Sequence, residues 1–237
     1  KFFNYFEKIA RNNNIKIKSF GYSKKADVRF LKIKNNKKDF ILKLSINKEN
    51  ILFKINSSNK NYIMNLLCCV AVLDELCLNL KNVKRFFKTL KSLKGRGRIK
   101  KVSKFGKNFF LVDESYNANP LSVKSAVENF SNIKKKGKKK YFLFGDMMEL
   151  GKNSHIYHKK ISKFINNSDI DKTFVYGERA VETYKFLRKD KRGEVVKNFK
   201  SFDDTMSQVL RNGDFLMIKG SNATKLHKIS ENLLRSN

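Results

Sequence analysis

Asp113-Glu114-Ser115-Tyr116-Asn117-Ala118-Asn119-Pro120 follows the apolar run Phe109-Phe110-Leu111-Val112, and the rest of the chain is best read outward from it. The apolar run predicts a buried strand that ends on carboxylates. Pro120 suits the first turn of a helix, where its missing N–H is unpaired anyway, and Asn119 is the natural N-cap. Capping accounts for Asn119 and Pro120. It does not account for Asp113 and Glu114 at a strand end, or for an aromatic and an amide at Tyr116 and Asn117.

The strand-then-helix pattern continues toward the C-terminus. Tyr141–Gly145 precedes a helix over about 154–165, and Thr173–Tyr176 precedes one over 178–188. Glu194–Lys197 leads into 202–211, and Phe215–Ile218 into 223–235. Strands separated by single helices imply a mainly parallel sheet, an α/β domain of Rossmann-like type, with ligands beyond the carboxyl ends of the strands. Three strands end in polar or glycine signals there: Asp113, Gly145-Asp146 and Lys219-Gly220-Ser221.

Upstream the pattern differs. Helical spacing over 1–14 is followed by β-like runs at Val28–Ile33, Phe40–Ile46 and Ile51–Ile55, with polar turns at Asn35-Asn36 and Asn47–Asn50. This reads as an antiparallel meander. An apolar helix is expected over 61–79 and a smaller one over 82–92. The glycine-flanked hinge Gly95-Arg96-Gly97-Arg98 then marks a boundary, giving domains 1–94 and 95–237.

Composition limits the alternatives. The 237 residues carry 53 basic and 21 acidic side chains, a formal charge of +32, with 21 Phe and one Pro. Enough apolar residues are present for real cores, and no apolar run reaches the ~20 residues of a membrane span. The excess is nearly all lysine spread along the chain beside abundant Asn, Ile and Phe, as an AT-rich coding sequence would produce. A basic nucleic-acid-binding module is therefore the alternative, and Lys134–Lys140 reads as a solvated loop. Cys68, Cys69 and Cys77 form neither a disulfide framework nor a zinc pattern and read as core residues in a reducing compartment. His155 and His158 lack a third ligand, so no metal site is expected. Ser115 lacks the context of a catalytic nucleophile. The chain is expected to be cytoplasmic, and the absence of an initiating Met suggests a fragment.

At Asp113–Pro120 the sequence resembles the D-x-S/T-Y-N-A-N-P signature of the Mur ligase family. Other matches fall in the family's order: Phe20-Gly21, Asn65, Gly95-Arg96-Gly97, Gly145-Asp146-Met147-Met148-Glu149-Leu150-Gly151 with Ser154 and His158, and Lys219-Gly220-Ser221. Two features depart from the family. Asn61 and Tyr62 stand where it usually has His and often Asn, and no Gly-Lys pair here is followed by Ser or Thr, so a Walker A phosphate loop is missing. The resemblance thus implies the tail of the family's middle domain followed by a complete C-terminal domain.

It also implies an ATP-dependent amide ligase of peptidoglycan synthesis, in the branch that joins D-alanyl-D-alanine to UDP-N-acetylmuramoyl-tripeptide. In that reaction Mg2+ and ATP convert a carboxylate to an acyl phosphate, which the dipeptide amine attacks. By matched position Arg96 would be the catalytic residue on the ATP phosphates. Asp113 would accept from the ribose, Asn65 would serve the adenine, and Tyr116 and Asn117 would line the nucleotide pocket. Asn119, Asp146 and Glu149 would contact substrate. A monomer is expected, and a folylpolyglutamate synthase-like ligase is the other alternative.

Overall fold

The computed structural model describes residues 2–36, 39–90, 94–134 and 136–235. The chain divides into two compact units, residues 1–91 and 92–237.

The first unit begins with α1 (Phe3–Asn12), whose Phe3, Phe6 and Ile9 are exposed. A four-stranded sheet follows in the order β1 (Phe20–Gly21), β2 (Val28–Asn36), β3 (Asp39–Ile46), β4 (Glu49–Ile55). The meander β2-β3-β4 is antiparallel as expected, and the two-residue β1 adds parallel to β2. Residues 37–38, between Asn36 and its partner Asp39, lie outside the described residues. Leu42, Leu44, Phe53 and Ile55 pack with Ile63, Leu66, Leu67 and Val70 of α2 (Lys60–Glu75). Each such side chain contributes about 1.5–3 kcal/mol by burial.

Three local expectations are corrected here. The helix expected to 79 ends at Glu75, because Cys77 adopts φ +55° and the Leu78 N–H turns back to the Leu73 carbonyl at 3.0 Å. That closure satisfies the last carbonyls without a glycine to announce it. Of the helix expected over 82–92, residues 91–92 lie outside the described residues, and the rest is replaced by a four-residue α3 (Leu80–Val83) and a tight 3₁₀ turn, Lys84–Lys88, which sets Phe87 edge-on against Phe53 at 5.1 Å. Cys69 and Cys77 are exposed, not core.

The second unit is a three-layer α/β domain. Its sheet contains β5 (Arg98–Lys104), β6 (Lys107–Glu114), β7 (Lys140–Gly145), β8 (Lys172–Tyr176), β9 (Arg192–Val195) and β10 (Phe215–Lys219), ordered β5-β6-β10-β7-β8-β9. All pairings are parallel except β5 with β6. The last strand therefore inserts between β6 and β7. Alternation along the strands feeds two cores. Val112, Phe142, Phe144 and Met217 meet α4 (Pro120–Ser131), α5 (Ser154–Asn166) and α6 (Ala180–Lys185) on one face. Leu111, Leu143, Leu216 and Ile218 meet α7 (Phe199–Val209) and α8 (His227–Leu234) on the other.

The basic run contains a further correction. Lys140 is not in a solvated loop but opens β7 fully buried, with its Nζ on Asp169 at 2.8 and 3.0 Å and on the Ser131 carbonyl at 2.8 Å. Among the described residues no helix is long and apolar enough to cross a membrane.

Candidate functional site

The central strands β6, β10 and β7 are neighbours, so their carboxyl ends bring the three signalled segments side by side. Two side chains stitch the segments together. Lys219, at the end of β10 and only 2% exposed, donates to the Asn117 carbonyl at 2.9 Å and stands 3.6 Å from the Glu114 carboxylate. Burial pushes Lys219 down and Glu114 up from their ordinary values, and the attraction of each for the other opposes this. Ser221 accepts from the Met148 N–H at 2.8 Å and donates to the Ala118 carbonyl at 3.3 Å. Its own N–H donates to the Asp146 carbonyl at 2.9 Å.

Beside this cluster the Gly95-Arg96-Gly97 segment is pinned, not hinge-like. Gly95 and Gly97 have φ of +72° and +79°. A Cβ on Gly95 would lie 2.8 Å from the Tyr116 nitrogen, and one on Gly97 would lie 2.6 Å from Glu114 Oε1. Only glycine fits both the conformation and the space. The Gly97 N–H donates to the Asp113 carbonyl at 2.7 Å, and Tyr116 N–H to the Gly95 carbonyl at 3.2 Å. The Arg96 guanidinium, between them, lies 4.2 Å over the Tyr116 ring. Arg96 itself is exposed, as is Tyr116 at 52%.

The other expected site residues fall into two groups. Asn117 and Glu149 are exposed at the strand ends, with the Asn117 side-chain oxygen accepting from the Ala118 N–H at 2.8 Å. Asn65 is exposed on α2 in the first unit. Three others have their side chains engaged by the protein. Asn119 is the N-cap of α4 in a capping box with Ser122. Asp146 accepts from the Ala180 N–H at 2.7 Å and fills the space a side chain at Gly177 would need. Asp113 is 5% exposed, accepting from the Gly95 N–H at 3.2 Å and from Ser115 N–H and Oγ at 3.3 and 2.6 Å.

His158 is fully buried. Its Nε2 accepts from the Met147 N–H at 2.9 Å while Nδ1 donates to the Ser154 carbonyl at 2.8 Å, so neither nitrogen is available to a metal. Sequence reasoning left out Glu114 and Ser221 as site residues and gave Lys219 no role. A lysine closing the apolar run Phe215–Ile218 was the available signal.

Comparisons with known proteins identify the family. A family profile described as "Mur ligase, glutamate ligase domain" matches residues 97–222, from the pinned Arg96 segment to just past Ser221. The chain is 30% identical over 152 residues to the UDP-N-acetylmuramoyl-tripeptide--D-alanyl-D-alanine ligase of Bacillus subtilis (strain 168), covering 63% of this chain and 33% of that protein. To the protein of the same name from Rickettsia prowazekii it is 25% identical over 228 residues, covering 96% of this chain and 49% of the relative. The chain thus spans between a third and a half of the length of these curated relatives. The crystal structure of MurF ligase from Thermotoga maritima in complex with ADP superposes with a TM-score of 0.76 at 18% identity, over 97% of this chain and 51% of that one. That likeness shows a shared fold for both units. With the profile covering more than half of the residues and ending on the same loops that form the strand-end cluster, the chain belongs to the Mur ligase family.

Proposed function

We propose that this chain supplies the C-terminal catalytic surface of an ATP-dependent amide ligase. Its reaction adds D-alanyl-D-alanine to UDP-N-acetylmuramoyl-tripeptide in peptidoglycan precursor synthesis, as the names of its relatives suggest. The observation that carries the reading is Arg96, set over Tyr116 by two obligatory glycines beside the Lys219–Asn117 contact. A guanidinium gives phosphate oxygens paired hydrogen bonds, and its charge favours a transition state in which negative charge shifts onto the transferring and leaving phosphate oxygens. Tyr116 and Asn117 offer an aromatic face and an amide to the same nucleotide. Glu149 is the exposed carboxylate available to an incoming amine. Asn119 and Asp146 shape the substrate side through the loops they cap.

Mg2+ is the metal that the resemblance implies. Asp113 is held by Gly95 and Ser115, Glu114 by Lys219, and among the described residues no three His, Cys, Asp or Glu side chains converge. A Walker A loop is likewise absent from the sequence, so the reading has the chain working with a phosphate-binding segment outside these 237 residues. It places the protein in the cytoplasm, as a monomer.

The test is a titration of the isotope-labelled chain with ADP, followed by amide shifts. The expected changes cluster at Arg96, Tyr116, Asn117 and Lys219. Changes confined to the lysine run at 134–140 would instead favour a general polyanion-binding protein.

A further inference from the structure

We infer that Asp113 is a positioning residue that acts through Arg96, not a group that touches the nucleotide. The inference deepens the proposed function, since it rests on Arg96 being the phosphate-facing cation. Asp113 sits at the end of β6, on the strand beside β5, where Arg98 is its register partner. Its carboxylate is turned inward. One oxygen takes the Gly95 N–H; the other takes the Ser115 hydroxyl and N–H. Its carbonyl takes the Gly97 N–H. The Asp113 side chain therefore fixes Gly95 and its main chain fixes Gly97, the two glycines that flank Arg96.

The consequence for Arg96 is geometric. Left-handed φ at two positions separated by one residue turns the chain so that Arg96 is directed back toward Tyr116, which starts only three residues after Asp113. Tyr116 closes the ring by donating to the Gly95 carbonyl. A free arginine side chain samples many rotamers, and ordering it costs entropy. Here the stacked guanidinium is ordered in advance, a cost removed before any phosphate arrives. An acidic side chain that is 5% exposed and already accepts three hydrogen bonds has little left to offer a ribose hydroxyl.

The Arg96 Nε–H resonance of the full 237-residue chain reads the arrangement without any ligand. It is identified by its loss in Arg96→Lys, and its ring-current shift by its movement in Tyr116→Leu. Asp113→Ala should move this resonance to the position seen in Tyr116→Leu and raise amide exchange at Gly95, whose N–H loses its carboxylate acceptor, by about tenfold or more. Asp113→Asn, which keeps one acceptor, should give an intermediate shift. If Asp113→Ala does not fold, Asp113→Asn and Ser115→Ala decide the question by shifts in the same direction. An unmoved Arg96 resonance in the folded variants would overturn the inference.

A second arm compares ADP with 2′-deoxy-ADP. Loss of discrimination between them in Asp113→Ala, with Arg96 undisturbed, would show a direct ribose contact and also overturn the inference. Absence of ADP binding to the unsubstituted chain would count against the proposed function alone, because the Arg96 resonance still decides this point.

Discussion

The Lys219 ammonium donates to the Asn117 carbonyl at 2.9 Å, joining the end of the last strand to a loop 102 residues earlier in the chain. The contact exists because β10 inserts between β6 and β7, which places the end of the final strand directly beside Glu114. Two stretches far apart in the sequence thus become one wall of the candidate site.

Replacing Lys219 by Met tests that wall. The variant keeps the buried stem but removes the donor to Asn117 and leaves Glu114 without its cation. Breaking such a pair costs about 3 kcal/mol, with protonation of the already raised Glu114 limiting the loss. Urea unfolding at pH 8 should show the full loss and at pH 5 a smaller one. A loss independent of pH would mean that Glu114 is not the partner that matters.

Lys140 gives the opposite expectation. It is buried, but its partner Asp169 has a side chain 40% exposed and can return to water when the cation is removed. Lys140→Met should therefore change stability by no more than about 1 kcal/mol, since an apolar side chain of similar length often replaces a buried charge without loss. A loss of several kcal/mol would show that the Ser131 carbonyl, to which Lys140 also donates, depends on it.

His158 carries a pH dependence. Burial lowers its pKa below the ordinary 6.5, with Asp146 and Glu182 opposing the shift and Arg179 adding to it. The unfolded chain then takes up a proton at higher pH than the folded one. Stability is complete above the unfolded value and falls as pH drops from there toward the folded pKa, by at most about 1.4 kcal/mol per pH unit. Protonation would also set an N–H against the Met147 N–H that Nε2 now accepts. His158→Gln should flatten thermal stability between pH 7 and 5. An unchanged slope would place the proton uptake elsewhere.

Much of this was legible in the sequence, for identifiable reasons. Phe109–Val112, Tyr141–Phe144 and Phe215–Ile218 are buried on both faces, so their apolar runs mark strands directly. Asn119-Pro120 marks the start of α4 by its own chemistry. The strand β5 was hidden, because Arg98-Ile99-Lys100-Lys101-Val102-Ser103-Lys104 lies at a sheet edge where lysines are tolerated. Its hairpin turn is Phe105-Gly106, with φ of +55° and +67°, and phenylalanine gives no warning of a left-handed position.

The direction of a side chain was the least readable property. Asp113 and Glu114 are adjacent carboxylates, and composition alone does not say which one the strand turns inward. Asp146 is likewise drawn to the Ala180 N–H only because Gly177, far along the chain, leaves it room. Lys219 announced itself only as a polar end to an apolar strand. Its partner in the middle of the sheet depended on a strand order that local pattern does not encode.

The proposed function is tested most directly by joining residues 95–237 to the preceding domains of the Bacillus subtilis relative and measuring phosphate release from ATP. The account predicts release that requires both UDP-N-acetylmuramoyl-tripeptide and D-alanyl-D-alanine and that is lost in Arg96→Ala. Release indifferent to D-alanyl-D-alanine, or driven by glutamate in its place, would contradict it.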